Sequence, residues 1–253
     1  MDLDLKGKRA LVTGGTRGIG RAIANQLAAE GCNVGLCARN ADKVAAVVAD
    51  LKETGVNATG AAVDVTDSAA LKSWVESAAD DLGGLDIFIA NVSALSQELD
   101  EAAWRESFEV DMMTTFNGAE AAIPLIEKSG PGALVFIASI SALEISRGAR
   151  PYGAMKAAVL YYTKGLARTL APKDIRVNAV SPGNVYFEDG IWGRMERERP
   201  EFFAGMLAAN PMGRMGKPEE VANAAVFLAS PAASFITGTN LIVDGALTSG
   251  VQF

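Results

Sequence analysis

The sequence contains no histidine. This absence excludes Ser-His-Asp and Cys-His nucleophilic triads, His-containing zinc sites and any imidazole proton shuttle. Cysteine is nearly absent too, because Cys32 and Cys37 are the only thiols, too few for a thiolate metal cage. So few thiols are typical of a reducing compartment. We therefore expect no metal site, and any proton transfer must use other acids and bases.

Long apolar runs and an excess of positive charge are also missing. No stretch approaches about 18 uninterrupted apolar residues, and residues 1–6 lack the apolar core of a signal peptide. We therefore expect a cytoplasmic protein that does not contact a membrane. Lys and Arg number 23 against 30 acidic residues, and the net charge of −7 argues against a nucleic-acid partner.

Short apolar runs alternate with longer segments of helical period. The predicted strands are residues 10–13, 33–38, 58–64, 85–90, 133–139, 175–180 and 240–243. The predicted helices are residues 18–30, 41–54, 68–82, 102–128 and 152–170. This alternation predicts an α/β domain with a parallel sheet covered by helices on both faces, and no linker divides residues 1–253. An open doubly wound sheet and an eight-stranded α/β barrel both fit this length.

A glycine-rich turn follows the first predicted strand. Residues 13–20 are Thr-Gly-Gly-Thr-Arg-Gly-Ile-Gly, and a helical segment begins at once. Glycines allow a tight turn and a close approach to a pyrophosphate, which the positive end of the helix also favours. The pattern favours a doubly wound, seven-stranded Rossmann sheet over the barrel, against the alternative of a turn that merely tolerates glycine. The predicted cofactor-binding residues of the turn are Gly14, Thr16, Arg17, Gly18, Ile19 and Gly20.

The end of the second strand predicts the identity of the cofactor. In this fold an acid about 20 residues after the turn binds the ribose 2′-hydroxyl, whereas an arginine accommodates a 2′-phosphate. No acid lies between Gly31 and Ala41, and Arg39 follows the place where the acid would stand. With Arg17 available from the turn, NADP(H) is favoured and NAD(H) is the alternative. A solvated Arg39 with no specific role is the other interpretation.

Three residues near the fifth strand form a candidate catalytic set. Ser139 ends an apolar run, and Tyr152 and Lys156 lie four residues apart on one face of a helix that Pro151 introduces. A free tyrosine has a pKa of about 10. An ammonium ~4 Å away, at an effective dielectric of ~20, favours tyrosinate by roughly 4 kcal/mol, about 3 pK units before desolvation. We therefore expect Tyr152 to transfer the proton and Ser139 to hold the substrate oxygen.

Together, the glycine turn and this set resemble the short-chain dehydrogenase/reductase family, in the branch of about 250 residues that includes the 3-oxoacyl-(acyl carrier protein) reductases. The resemblance covers essentially the whole chain. It implies Ser139, Tyr152 and Lys156 as catalytic residues, with Tyr152 and Lys156 also at the cofactor and Lys156 on the ribose. It implies a homotetramer or dimer with a small carbonyl or alcohol substrate, and an acyl carrier partner by family alone. Further implied cofactor contacts are Asp64, Val65, Asn91, Pro182, Gly183 and Val185.

The sequence departs from the family pattern in three places. The strand end at residues 90–93 is Ala-Asn-Val-Ser, without the usual first asparagine and the glycine. Asp111 stands where a fourth catalytic residue, an asparagine, is usual in the family, and we expect a carboxylate oxygen to take the place of its amide. After Gly183 no threonine is available to bind the nicotinamide amide. The first two departures are the only support for an alternative function, a non-catalytic dinucleotide-binding regulator or scaffold of the same fold.

Residues 186–215 have no place in the alternating pattern. They combine aromatic residues with a run of alternating charge, and they follow the predicted nicotinamide segment, so we expect a substrate lid. An ordinary solvated helix pair is the alternative. Glu144, Arg147 and Arg150 lie between the candidate serine and tyrosine, and three charges there favour a polar or anionic substrate.

Overall fold

Seven parallel strands form one sheet in the computed structural model, which describes residues 2–96, 98–145 and 148–251. Its strand order is β3-β2-β1-β4-β5-β6-β7. An open sheet with this order is doubly wound, which confirms the predicted fold and excludes the barrel. The strands are β1 Arg9–Thr13, β2 Asn33–Ala38, β3 Ala58–Ala62, β4 Ile87–Ala90, β5 Gly132–Ile137, β6 Ile175–Pro182 and β7 Asn240–Val243.

Helices cover both faces of the sheet, as predicted. One apolar core lies between the sheet and helices α1, α2 and α9. The other lies between the sheet and helices α3, α5 and α6. Because both faces are buried, the central strands are continuous apolar runs, such as Ile-Phe-Ile-Ala in β4. The helices are α1 Gly18–Ala29, α2 Ala41–Glu53, α3 Ser68–Leu82, α4 Glu101–Ser107, α5 Thr114–Ser129, α6 Pro151–Leu170, α7 Ile191–Glu198, α8 Pro200–Ala208 and α9 Pro218–Ala229.

Helix boundaries follow local chemistry where the sequence supplies it. The Asp67 carboxylate accepts from the backbone N–H groups of Ala69 and Ala70 and so caps the start of α3. The helix ends at Gly83, whose φ of 77° is left-handed. Within the described residues no helix has the length and apolar character needed to cross a bilayer.

The helix predicted over residues 102–128 is present, but a π-helical turn that was not predicted interrupts its regular spacing. Between α4 and α5 lies a π-helical segment, Phe108–Met113, which holds one extra residue in its turn. The Thr114 hydroxyl donates to the Val110 carbonyl at 2.6 Å, and the Thr115 hydroxyl to the Asp111 carbonyl at 2.9 Å. The insertion leaves the side chain of Asp111 fully buried and directed toward α6.

Helix α9 is an element that the sequence interpretation missed. Pro218 occupies its first turn, and the Glu220 carboxylate accepts from the Lys217 backbone N–H at 2.8 Å. A proline followed by an acid in the first turn is a recognised start signal, which could have identified this helix.

Candidate active site

The glycine turn connects β1 to α1 at the carboxyl end of the sheet. Gly14 and Gly18 have φ values of +67° and +52°, a region that side chains rarely adopt. At Gly20 an added Cβ would lie 2.3 Å from the Gly14 carbonyl oxygen, so the helix approaches the turn closely. Thr16 is half-buried, and Ile19 packs on the core below the turn.

Asn91 fastens the end of β4 to this turn. Its side-chain Nδ2 donates to the carbonyl oxygens of Thr13 and Gly14 at 3.1 and 3.3 Å. Its backbone N–H donates to the Thr13 hydroxyl at 3.0 Å. Because β1 and β4 are neighbours where the strand order reverses, the structure places Asn91 beside the turn.

Arg39 and Asp64 follow the ends of the neighbouring strands β2 and β3, and both are exposed. Hydrogen bonds from the Thr66 hydroxyl and backbone N–H lower the pKa of Asp64, and the Arg39 charge lowers it further. Val65 is buried beside them. Arg17 donates instead to the Asp189 carbonyl oxygen at 3.2 Å, in the segment that follows β6.

Ser139, Tyr152 and Lys156 come together where β5 ends and α6 begins. Ser139 lies two residues beyond β5 and is buried, and its hydroxyl accepts from the Ser141 backbone N–H at 3.1 Å. Tyr152 is half-buried in the first turn of α6 and hydrogen-bonds to Ser139. The Lys156 Nζ lies 5.8 Å from the centre of the Tyr152 ring.

The Lys156 ammonium is held inside the protein by two oxygens. It donates to the Ile137 carbonyl at 3.0 Å and forms an ion pair with Asp111 Oδ1 at 3.3 Å. Both side chains of the ion pair are almost fully buried. Burial lowers the pKa of Lys156, and the Asp111 charge opposes that shift.

The pKa of Tyr152 differs from the sequence-based expectation. Burial, with the charge of Asp111, raises it to about 12, although hydrogen bonds to Ser139 and Ser93 oppose the shift. The prediction that Lys156 draws this pKa toward neutrality is therefore wrong for the free chain. The physical reason is first the burial of the Tyr152 hydroxyl, and then the charge of Asp111, which also pairs with Lys156.

Ser93 is a site residue that the sequence interpretation did not assign. Its hydroxyl donates to Asp111 Oδ1 at 2.6 Å, while Oδ2 of the same carboxylate is buried without a hydrogen-bond partner among the described residues. The two unusual positions of the sequence thus contact each other. That both depart from the family pattern at once is the feature that could have identified the pair.

The segment after β6 also lies at this edge of the sheet. Pro182 ends the strand, and an added Cβ at Gly183 would lie 2.8 Å from the Cα of Asp244. Val185 is buried and pairs with Gly216 as an isolated parallel bridge. Because β6 is the neighbour of β5, the predicted nicotinamide residues lie next to the strand end that carries Ser139.

Residues 186–215 contain helices α7 and α8 and contact the glycine turn. The Phe187 ring lies on Gly18, where an added Cβ would be 2.6 Å from the ring. Tyr186 donates to the Glu196 carboxylate at 2.6 Å and packs against Phe203.

Three charged residues, Glu144, Arg147 and Arg150, were expected near the substrate, and the structure describes two of them. Glu144 accepts from the backbone N–H groups of Ser249 and Gly250 in the C-terminal segment. Arg150 precedes α6, and Arg147 lies outside the described residues. Across the ranges that the structure describes, no group of three His, Cys, Asp or Glu side chains could hold a metal ion.

Comparison with known proteins gives consistent matches over nearly the whole chain. Residues 14–248 match a family model described as enoyl-(acyl carrier protein) reductase. Isoepoxydon dehydrogenase patN of Penicillium expansum is 40% identical over 255 residues, covering 98% of each chain. The 3-oxoacyl-[acyl-carrier-protein] reductase FabG of Escherichia coli is 34% identical over 249 residues, covering 97% of this chain and 99% of that protein.

Two solved structures with bound ligands have the same fold. L-sorbose reductase from Gluconobacter frateurii, complexed with NADPH and L-sorbose, has a TM-score of 0.91 and 32% identity, covering 99% of this chain and 100% of the other. A 7α-hydroxysteroid dehydrogenase complexed with NADH and 7-oxo glycochenodeoxycholic acid has a TM-score of 0.89 and 32% identity, covering 97% and 96%.

Proposed function

This chain belongs to the short-chain dehydrogenase/reductase family, and on that premise we propose that it interconverts a carbonyl compound and a secondary alcohol with NADP(H) as cofactor. The observation that carries the proposal is the meeting of Ser139, Tyr152 and Lys156 at the same edge of the sheet as the glycine turn. Open α/β sheets bind their ligands at this carboxyl edge.

The glycine turn fits a dinucleotide. The close approach of Gly20 to the Gly14 carbonyl leaves no room for side chains, and the start of α1 presents backbone N–H groups that favour a pyrophosphate. The proposed cofactor-binding residues are Gly14, Thr16, Arg17, Gly18, Ile19, Gly20, Arg39, Asp64, Val65, Asn91, Tyr152, Lys156, Pro182, Gly183 and Val185.

Arg39 supports the preference for NADP(H). It is exposed at the end of β2, and no acid stands beside it on that strand to accept from a 2′-hydroxyl. A guanidinium binds a phosphate through strong, charge-assisted hydrogen bonds. Asp64, which follows the neighbouring strand β3, has a lowered pKa and stays ionised at neutral pH. NAD(H) remains the alternative, which the binding experiment below tests.

The bound nicotinamide would supply or accept the hydride. Ser139 donates a hydrogen bond to the substrate oxygen and keeps it near the Tyr152 hydroxyl. Because the pKa of Tyr152 is about 12, the phenol keeps its proton at neutral pH and serves as the general acid when a carbonyl is reduced. Lys156 contacts the ribose, and Asp111 holds the ammonium in place through their ion pair.

Turnover is tested with a panel of cyclic, sugar-like and 3-oxoacyl ketones, by following NADPH oxidation. Tyr152→Phe should abolish turnover while NADPH binding persists, because only the proton donor is lost. Tyr161→Phe is the matched control, since Tyr161 is 85% exposed on the outer face of α6. Cofactor binding without turnover of any substrate would support the non-catalytic regulator instead, and a fully active Tyr152→Phe variant would refute the role of Tyr152.

Cofactor preference is tested by direct binding. We expect Arg39→Ala to weaken NADPH binding by about tenfold, because one charge-assisted contact to the 2′-phosphate is lost. NADH binding should be unchanged, because NADH has no such phosphate. Arg168→Ala is the control, because Arg168 lies in the last turn of α6, at the opposite edge of the sheet. Tighter binding of NADH than NADPH to the unmodified chain would refute the preference.

Two further assignments complete the proposal. Residues 186–215 are a substrate lid on a single domain, supported by the contact of Phe187 with Gly18 and by the Arg17 hydrogen bond to Asp189. The chain forms a homotetramer or dimer, which family membership supports and a sedimentation measurement tests. A chain that sediments as a monomer at micromolar concentration would refute that assignment.

A further inference from the structure

The Ser93 hydroxyl lies between the proton donor and the buried acid. It follows β4 in a loop, donates to Asp111 Oδ1 at 2.6 Å and also hydrogen-bonds to Tyr152. The backbone N–H of Leu95 donates to the hydroxyl oxygen of Ser93 at 3.2 Å. A serine hydroxyl has one hydrogen to donate and two lone pairs. Ser93 can therefore donate a hydrogen bond to only one of its two neighbours, Asp111 or Tyr152, at a time.

Asp111 determines where that hydrogen goes. A carboxylate only accepts hydrogen bonds, and this one receives Ser93 and Lys156 on the same oxygen. Once Tyr152 has given its proton to the substrate, the phenolate becomes a second anion that needs a donor. In the proposed function Ser139 gives its single hydrogen to the substrate oxygen, so the donor left for Tyr152 is Ser93.

We propose that Ser93 is a positioning residue for Tyr152, whose hydroxyl hydrogen alternates between the Asp111 carboxylate and the Tyr152 phenolate during turnover. Ser93 keeps its proton throughout, and only the acceptor changes. When the hydrogen turns to Tyr152, the Asp111 carboxylate retains the Lys156 ammonium as its partner. The inference rests on the proposed function, because it assigns Ser93 to the same proton transfer.

The electrostatics around Tyr152 agree with this arrangement. Charge reaches Tyr152 from two packed elements: Asp111 on the π-helical segment and Lys156 on α6. The β4 loop and the end of β5 contribute the hydroxyls of Ser93 and Ser139. The Ser93 hydrogen bond lowers the pKa of Tyr152, whereas the Asp111 charge raises it, so the two unusual residues act in opposite directions.

The test measures kcat and KM against pH in both reaction directions. Ser93→Ala should lower kcat for carbonyl reduction by about tenfold, with KM within about twofold of the unmodified value. The half-maximal pH of alcohol oxidation should rise by about one unit, because the phenolate has lost a donor. Ser93→Thr keeps the hydroxyl and should restore both. Unchanged kcat and pH profile in Ser93→Ala would overturn the proposal.

Asp111→Asn tests whether the two residues act together. Because the neutral amide is a weaker acceptor than the carboxylate, Ser93 donates to Tyr152 more of the time. The half-maximal pH of alcohol oxidation should therefore fall. In this background Ser93→Ala should produce a larger pH shift than it does alone. Equal pH shifts in the two backgrounds would show that Ser93 and Asp111 act independently, and would overturn the proposal that they act together.

A neighbouring serine provides the matched control. Ser96, in the same loop, hydrogen-bonds to the Glu106 carboxylate, so Ser96→Ala also removes a hydroxyl from an acid. Since no hydrogen bond links Ser96 to Tyr152, the pH profile should not move. A profile that moves as it does in Ser93→Ala would assign the effect to the loop and overturn the role of Ser93.

An activity-independent measurement separates this inference from the proposed function. Tyrosinate absorbance of the free chain, compared with that of Tyr152→Phe, reports the ionisation of Tyr152. Ser93→Ala should raise the pH of that ionisation and Asp111→Asn should lower it. These shifts in a chain without turnover would refute only the proposed function, whereas turnover without these shifts would refute only the role of Ser93.

Discussion

Gly20 is the position where one added carbon tests the geometry of the turn. A Cβ there would lie 2.3 Å from the Gly14 carbonyl oxygen and 2.4 Å from Asn91 Nδ2. Because the first neighbour is backbone, no side-chain rotation relieves the overlap, and either the turn or α1 must move. Gly20→Ala should therefore destabilise the fold, although alanine is the better helix former.

The magnitude follows from three contributions. Overpacking costs roughly 1–3 kcal/mol. Displacing the Asn91 amide removes its hydrogen bonds to Thr13 and Gly14, at about 1 kcal/mol each. Replacing glycine inside a helix returns about 1 kcal/mol. The free energy of unfolding should therefore fall by about 2–4 kcal/mol.

Urea unfolding of two matched variants checks this value. Gly165→Ala is the control, because Gly165 also lies inside a helix, α6, but an added Cβ there meets nothing within 4 Å. It should gain up to about 1 kcal/mol, with the urea dependence of both variants unchanged. The steric reasoning is refuted if Gly20→Ala unfolds at the urea concentration of the unmodified chain, or if both substitutions change stability in the same direction.

Three further predictions concern the rest of the chain. Arg176 donates to three carbonyls at the end of α9, so Arg176→Met should lower the free energy of unfolding by about 3 kcal/mol in urea; an unchanged value would contradict this. The Arg214 hydrogen bond lowers the pKa of Glu220 to about 2, below its ordinary 4.5. Its stabilisation is therefore complete above about pH 5 and lost toward about pH 2, so the melting temperatures of the unmodified chain and Glu220→Gln should converge as pH falls. Burial raises the pKa of Cys32 and Cys37 to about 12, so a thiol reagent at neutral pH should label both only in denaturant.

The fold was predictable because its features are local. The turn glycines, the Asp67 cap and the apolar runs each lie in a few consecutive residues, and β2, α3 and β7 begin and end where the sequence places them. The π-helical segment was not predictable from apolar spacing, because an extra residue in one turn leaves the pattern on either side intact. Helix α9 carries its own start signal in Pro218 and Glu220 and needed no structure to be found.

The site was predictable only in part. The sequence spacing identifies Ser139, Tyr152 and Lys156 as a set, and the structure brings them together, while their catalytic roles remain predictions. The pKa of Tyr152 was not predictable, because burial, its largest cause, and the charge of Asp111 both depend on packing that the sequence does not show. Ser93 lies 18 residues from Asp111, in a loop without periodicity, so only the packing of the two segments reveals their contact.

The π-helical segment makes the length of this part of the chain as important as its composition. Each residue of an α-helix advances the side-chain direction by about 100°. Deleting one residue from Phe108–Met113 would restore a regular helix and rotate everything before the deletion relative to α5 by about that angle. Asp111 would then move away from Lys156, although neither of these two side chains had been substituted. Relatives that share every site residue but lack one position here should therefore bury a different side chain against the ammonium.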